Sequence, residues 1–230
     1  MHEFISSSVY FGVFVSLAAY FIGIFLLKKT GLALFNPLLV SVVLIIALLL
    51  AADIDYAAYN QSAKMLSSLL TPATICLAVP LYEQIALLKK HKKAILLGIL
   101  SGVLTSLVCV FSLSLLFGLD HAAYVTLLPK SITTAIGMGV SAELGGHVPI
   151  TIAVIILTGI LGNIIAKSVC RLFSITDPIA RGVAIGTSSH AVGTTRAMEM
   201  GQIEGALSSL SLVIAGMLTV IIAPFFAAFL

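Results

Sequence analysis

The chain has 230 residues, of which 60% are hydrophobic and only 9% charged, with a mean hydropathy of +1.19. A soluble domain carries roughly 25% charged residues, so these proportions exclude a water-facing globular surface and indicate a polytopic membrane protein. The net charge of +3 is small and sits in short segments, so it reads as topology information rather than as a nucleic-acid surface.

The first predicted transmembrane helix runs from Val9 to Leu27. Met1-His2-Glu3-Phe4 before it lacks a basic n-region, and the apolar run is too long for a signal peptide, so no cleavage is expected. A second helix is predicted from Leu32 to Ala52. The stretch from Met65 to Leu88 follows, interrupted by Thr71-Pro72-Ala73-Thr74 and by Pro80. Ala94 to Phe117 reads as an ordinary span. His121 to Leu144 is again interrupted, by Leu128-Pro129-Lys130-Ser131, Thr133-Thr134 and the glycines at 137 and 139. After an ordinary span from Val148 to Val169 comes a third interrupted stretch, Pro178 to Met200, with Gly186-Thr187-Ser188-Ser189-His190 and Gly193-Thr194-Thr195 at its middle. A last span runs from Ala206 to Phe229. The expected fold class is all-α and polytopic, with about five full spans and three broken or re-entrant segments.

Lipid cannot satisfy free backbone N–H and C=O groups, so a broken helix at membrane depth persists only where protein or a watery cavity covers it. The first interrupted stretch suits a proline-kinked packing helix as well as a site. The second and third add a lysine or a histidine to a run of hydroxyls, and an intramembrane ionisable group marks a functional site by default. The basic pairs set orientation. Lys28-Lys29 and the run Lys89 to Lys93 belong in the cytoplasm by the positive-inside rule, which puts the N-terminus outside. Re-entry of the second stretch also brings Lys167 and Arg171 inside. The second and third stretches are then hairpins entered from opposite faces, each followed by a full helix, in an inverted repeat with a midplane site. Two crossing helices, unwound at their centres, are the alternative.

The whole chain, 1–230, reads as one membrane domain, with 1–64 as scaffold and 65–230 carrying the broken segments. Cys76, Cys109 and Cys170 are an odd, scattered set and are expected as buried free thiols. Gly159, Gly162 and Ala166 form a close-packing face, and Asn163 beside them is expected to bond a neighbouring helix.

Lys130 is the first candidate for chemistry. Charge at membrane depth costs about 2.5 to 3.5 kcal/mol unless paired or solvated, so Lys130 is either half of an ion pair with Glu143 or Glu83, or the partner of an anionic substrate. Ser131, Thr133 and Thr134 follow it at a half-helix start, where free N–H groups favour anions. Ser188, Ser189, Thr194 and Thr195 repeat that pattern. Arg196 and Glu199 stand an i,i+3 step apart, as a candidate anion contact or a plain salt bridge. His190 is the one histidine at the centre of an apolar stretch: it bonds a backbone carbonyl or carries a proton. Glu83 is the second candidate for proton coupling. No metal motif, phosphate loop or dinucleotide fingerprint occurs, and no cofactor is expected. Adjacent Ser189 and His190 point apart and lack the closing glycine of a nucleophile elbow, so the chain is read as a non-enzyme.

Seven motifs occur in order: Asn36-Pro37-Leu38-Leu39-Val40, Pro80-Leu81-Tyr82-Glu83, Leu128-Pro129-Lys130-Ser131-Ile132-Thr133-Thr134, Glu143-Leu144-Gly145-Gly146, Ala180-Arg181-Gly182, Gly186 to Thr194, and Glu204-Gly205-Ala206-Leu207-Ser208-Ser209. Together they resemble the LrgB/CidB/YohK family of bacterial inner-membrane proteins, over essentially the whole chain. The resemblance implies one of two functions. One is transport of a small monocarboxylate of the pyruvate, glycolate or glycerate type, since the plant plastidal glycolate/glycerate translocator is similar. The other is holin/antiholin-like regulation of murein hydrolases and lysis. It also implies a small holin-like partner of the LrgA/CidA type, a homo- or hetero-oligomer, and residence in the bacterial cytoplasmic membrane. Broken helices carrying Lys130 and His190 favour transport, because helix association alone does not require them. The family varies around Thr195-Arg196, so a substrate role carries over to Arg196 less securely than to Lys130 or His190.

Overall fold

A computed structural model describes residues 10–31, 35–69, 72, 76 and 82–230. The described residues form ten helices and no strand, and the chain divides into two units, 1–76 and 77–230. Four helices among them are long and apolar enough to cross a bilayer: Phe11–Thr30, Lys89–Phe117, Val148–Leu172 and Gln202–Ala227. This is an all-α, multi-pass membrane fold.

In the first unit α1 is Phe11–Thr30, α2 Pro37–Ala51, α3 Tyr56–Ser62 and α4 Lys64–Ser68. The free N–H of Gly12 at the start of α1 donates to Ser62 Oγ at 2.9 Å, and Ser16 Oγ lies 2.7 Å from the Tyr59 hydroxyl. Helix starts leave four such donors unmet, and a side-chain oxygen from another helix serves one here. α2 begins later than predicted. Asn36 Oδ1 accepts from Leu38 N at 2.9 Å and Pro37 occupies the first turn, two strong start signals. At 15 residues it is about 22 Å long, short of the roughly 30 Å hydrocarbon core. In the first interrupted stretch, Thr71, Ala73, Thr74 and Pro80 lie outside the described residues.

The second unit opens with α5, Ile85–Phe117, which bends at His91 (φ −111°, ψ 17°). The run Lys89 to Lys93, expected as a loop, is therefore helical. Lysine and leucine are good helix formers and no glycine or proline interrupts them, so charge alone does not break the helix. One face of α5 supplies Ile95, Ile99, Val103, Leu107 and Val110 to the core, at helical spacing. Tyr124, Leu128, Ile132, Val183 and Leu207 complete that core.

α6, His121–Leu127, and α7, Thr134–Glu143, are the arms of the second interrupted stretch. They are about 10 and 15 Å long, too short to cross. Both stand beside the start of α8, Val148–Leu172. Thr126 Oγ1 accepts from His147 N at 2.7 Å, and Thr151 Oγ1 lies 2.7 Å from Ser141 Oγ. The stretch thus enters and leaves at one end of α8. It is a re-entrant hairpin, reversing at 128–133.

α9, Pro178–Met200, doubles back in the same way at His190, whose φ of 41° and ψ of −142° are non-helical. The contacts with α10, Gln202–Ala227, establish the reversal. A methyl group on Gly182 would stand 2.6 Å from the Glu204 carbonyl oxygen, and one on Gly186 would lie 2.8 Å from Ser208 Cα. Residue numbers rise together along this arm. Beyond His190 they run oppositely: Thr194 Oγ1 lies 2.8 Å from Ser208 Oγ, and a methyl on Gly205 would meet Met198 Cγ at 2.8 Å. The first hairpin enters where α8 begins and the second where α8 ends, and each is followed by a full helix. This is the inverted arrangement the two breaks predicted.

Candidate functional site

The reversal of the first hairpin is built from Pro129, which has no N–H to continue α6, and from two turn bonds, Lys130 N to Leu127 O at 3.1 Å and Ile132 N to Pro129 O at 3.3 Å. It holds Lys130 half-buried near the level of Ser106 on α5. Lys130 Nζ donates to Ser131 Oγ at 3.0 Å, and Ser131 Oγ lies 3.2 Å from Ser106 Oγ. Among the described residues the ion pairs are Arg181–Glu204 at 3.9 Å and Arg196–Glu199, so Lys130 has no carboxylate within 4.0 Å. Glu143 ends the outer arm of the hairpin, and Glu83 is exposed ahead of α5. Neither forms the ion pair weighed from the sequence.

Two cavities adjoin Lys130. One, of about 910 Å³, lies between α5 and α9 and is lined at its inner end by Ser106, Cys109, Lys130 and Ser131. The other, of about 440 Å³, lies between α8 and α9 and is lined by Lys130, Gly162, Ser188 and Ser189 among others. Lys130 of the first hairpin and Ser188 of the second line both, so the structure brings the two breaks together.

The remaining candidates divide by position. Ser188 Oγ donates to the Ala184 carbonyl at 2.8 Å and lies 3.0 Å from the Oγ of buried Ser189. His190 is buried and turned away from both cavities. Its Nε2 stands 2.9 Å from the Ile155 carbonyl oxygen, and its ring covers Gly159, where a methyl would approach Cε1 to 2.6 Å. Thr133 and Thr134 open α7 with half-buried side chains and line neither cavity. Thr194 is buried and bonds the His190 carbonyl at 2.9 Å, besides its contact with Ser208. Thr195 is exposed and accepts from Asn163 Nδ2 at 3.0 Å; the same nitrogen donates to the Val192 carbonyl at 2.9 Å. Asn163 therefore bonds a neighbouring helix, as its position predicted. Arg196 pairs with Glu199 near the end of α9. Ser189 and His190 bond different groups and make no nucleophile–base contact with each other.

Several wall residues are not marked by the sequence motifs. Ser106 sits in an otherwise regular apolar stretch of α5. The available signal was the small or polar series Gly98, Ser101, Gly102, Thr105 and Ser106 on α5, which lines the larger cavity. The cysteines need correction too. All three are free, but only Cys170 is buried; Cys76 and Cys109 are exposed, and Cys109 faces the larger cavity. An apolar helix has a face for lipid or cavity as well as one for the core, and hydropathy does not distinguish them.

Comparison with known proteins identifies the family. The model of the LrgB-like family matches residues 16–229. A Bacillus subtilis protein named antiholin-like protein LrgB is 40% identical over 220 residues, covering 95% of both chains. Proteins of the same name from Bacillus cereus and Bacillus anthracis are 39% identical over 222 residues, 96% of each chain. No solved structure matches the chain. With near-complete coverage at this identity, the chain belongs to the LrgB-like family.

Proposed function

We propose that this chain is an antiholin-like protein of the bacterial cytoplasmic membrane, working with a small holin-like partner of the LrgA/CidA type. The support is the name its relatives carry, which match it at 39–40% identity over nearly their full length. The test is complementation. Expressed together with the partner in a Bacillus strain lacking its own LrgB-like protein, the chain restrains detergent-triggered autolysis and murein hydrolase activity. Autolysis unchanged by the chain contradicts the reading.

A second reading, that the chain carries a small monocarboxylate, is favoured by one observation. Lys130 stands on two cavities at a hairpin reversal with no carboxylate within 4.0 Å among the described residues. A cation at membrane depth is expensive unless solvated or paired, and a passing carboxylate supplies the missing charge. Ser131 adds a hydroxyl beside it. His190, bonded to Ile155, serves in this reading to hold the tip of the second hairpin rather than to touch the solute. The two readings are compatible, since a change in metabolite and proton balance alters lysis indirectly. Substrate-dependent flux in liposomes separates them: a purely structural partner of a holin shows none.

A further inference from the structure

We infer that the larger cavity takes an amphiphilic monocarboxylate, with its head at Lys130 and an unbranched apolar chain lying between α5 and α9. The inference rests on the anion-site reading of Lys130 and deepens it. Volume is the first argument. Pockets of about 300 to 1,000 Å³ hold ligands of drug size, and at about 910 Å³ this one far exceeds what a two- or three-carbon acid fills.

The distribution of polar groups is the second. Of the wall hydroxyls away from Thr105, Ser106 and Ser131 near the inner end, Ser101 donates to the Gly98 carbonyl at 2.8 Å, Thr187 to Val183 at 2.7 Å and Ser188 to Ala184 at 2.8 Å. Their protons are spent on their own helices, so these positions present mainly carbon to a ligand. Free donors gather at the inner end instead. The Lys130 ammonium has three protons and gives one to Ser131, leaving two for a carboxylate. Between that end and His91 and Asp177 at the other, the wall is Ile95, Ile179, Val183, alanines and glycines, with Ser101 and Thr187 turned to their own backbones. Along α9, Asp177 and Ser188 are about 16 Å apart at 1.5 Å per residue, so the apolar stretch is long as well as wide.

Charge is the third. Among the described residues Lys130 is the sole lysine or arginine on the wall, and Asp177 stands at the far end. A second carboxylate on the ligand would find no second lysine or arginine on the described wall, and at the far end would meet Asp177 beside His91. One head and one apolar tail match what the cavity offers.

Cys109 is a built-in reporter, being exposed on the same wall as Lys130. In the full chain carrying Cys76→Ser and Cys170→Ser, reconstituted in nanodiscs, the rate of Cys109 alkylation is measured against acetate, butanoate, hexanoate, octanoate and the neutral octanol. Octanoate is expected to slow alkylation at least tenfold, and the half-protecting concentration to fall by about fourfold per added methylene. Octanol gives no protection, and Lys130→Gln abolishes that by octanoate. Equal protection by acetate and octanoate overturns the amphiphile while leaving a small-anion site standing. Protection by octanol as strong as that by octanoate, or octanoate protection that survives Lys130→Gln, removes the role of charge and overturns the inference. A Cys109 that reacts equally fast with every acid overturns both the inference and the anion site, and a Cys109 inert without ligand contradicts the cavity itself. The chain-length series and the octanol control are read on native Lys130, so they decide the matter even if Lys130→Gln fails to fold.

Discussion

Gly162 on α8 and Ser189 at the tip of the second hairpin touch so closely that a methyl group on Gly162 would lie 2.5 Å from Ser189 Cβ. No Cβ atom fits at that distance, so the hairpin seats against α8 only because position 162 has none. Gly162→Ala is expected to lower stability by about 1 to 3 kcal/mol, the usual range for overpacking, read as the thermal midpoint of the purified protein in detergent. Gly139 is the matched control. It lies in α7, and a methyl group there would meet nothing within 4 Å, so Gly139→Ala should be neutral or raise stability by up to about 1 kcal/mol. Equal destabilisation by both variants would show that the close approach at Gly162 is not what seats the hairpin.

Thr194 and Ser208 form a buried hydroxyl pair at 2.8 Å, tying the return arm of α9 to α10. Thr151 and Ser141 make a corresponding contact at 2.7 Å in the first hairpin. Hydrogen bonds between membrane helices average about 0.6 kcal/mol in double-mutant cycles. Thr194→Val and Ser208→Ala should therefore show a coupling of about that size in unfolding free energy. Strict additivity would mean that the pair contributes nothing.

At the hairpin tip His190 holds a φ of 41°, a region that β-branched residues reach only with strain. His190→Gly relieves the backbone but loses the bond to Ile155, worth about 1 kcal/mol, and the packing of the ring on Gly159. His190→Val loses the same bond and adds about 1 to 3 kcal/mol of strain. The valine variant is thus expected to be the less stable in thermal unfolding. Valine no worse than glycine would contradict the tip geometry.

Much of this was legible in the sequence because breaks in apolar runs are conspicuous in lipid. Pro129-Lys130 and the run from Gly186 to Thr195 mark both reversals. Charge on Lys167 and Arg171 points to re-entry of the first hairpin. Side-chain direction was not legible. Whether His190 faces a cavity or a carbonyl depends on the backbone conformation and side-chain rotamer at the tip, and the structure turns it to Ile155. Likewise Ser106 and Cys109 look like any residue of an apolar helix until α9 is packed opposite. The basic run Lys89 to Lys93 misled in another way: it marks a membrane boundary by its charge, yet its residues are good helix formers and continue α5.

The proposed carrier reading assigns Lys130 the main contact with the solute. Its direct test is counterflow of a labelled small monocarboxylate such as pyruvate in proteoliposomes, comparing the native chain and Lys130→Gln at matched reconstituted amounts, with and without the holin-like partner. Glutamine keeps length and polarity but removes the charge. Flux well above protein-free liposomes is expected for the native chain, and at least a tenfold loss for a well-expressed, folded Lys130→Gln. Native flux no greater than that of empty liposomes in both settings, or equal flux in the two chains, would contradict a carrier role for Lys130.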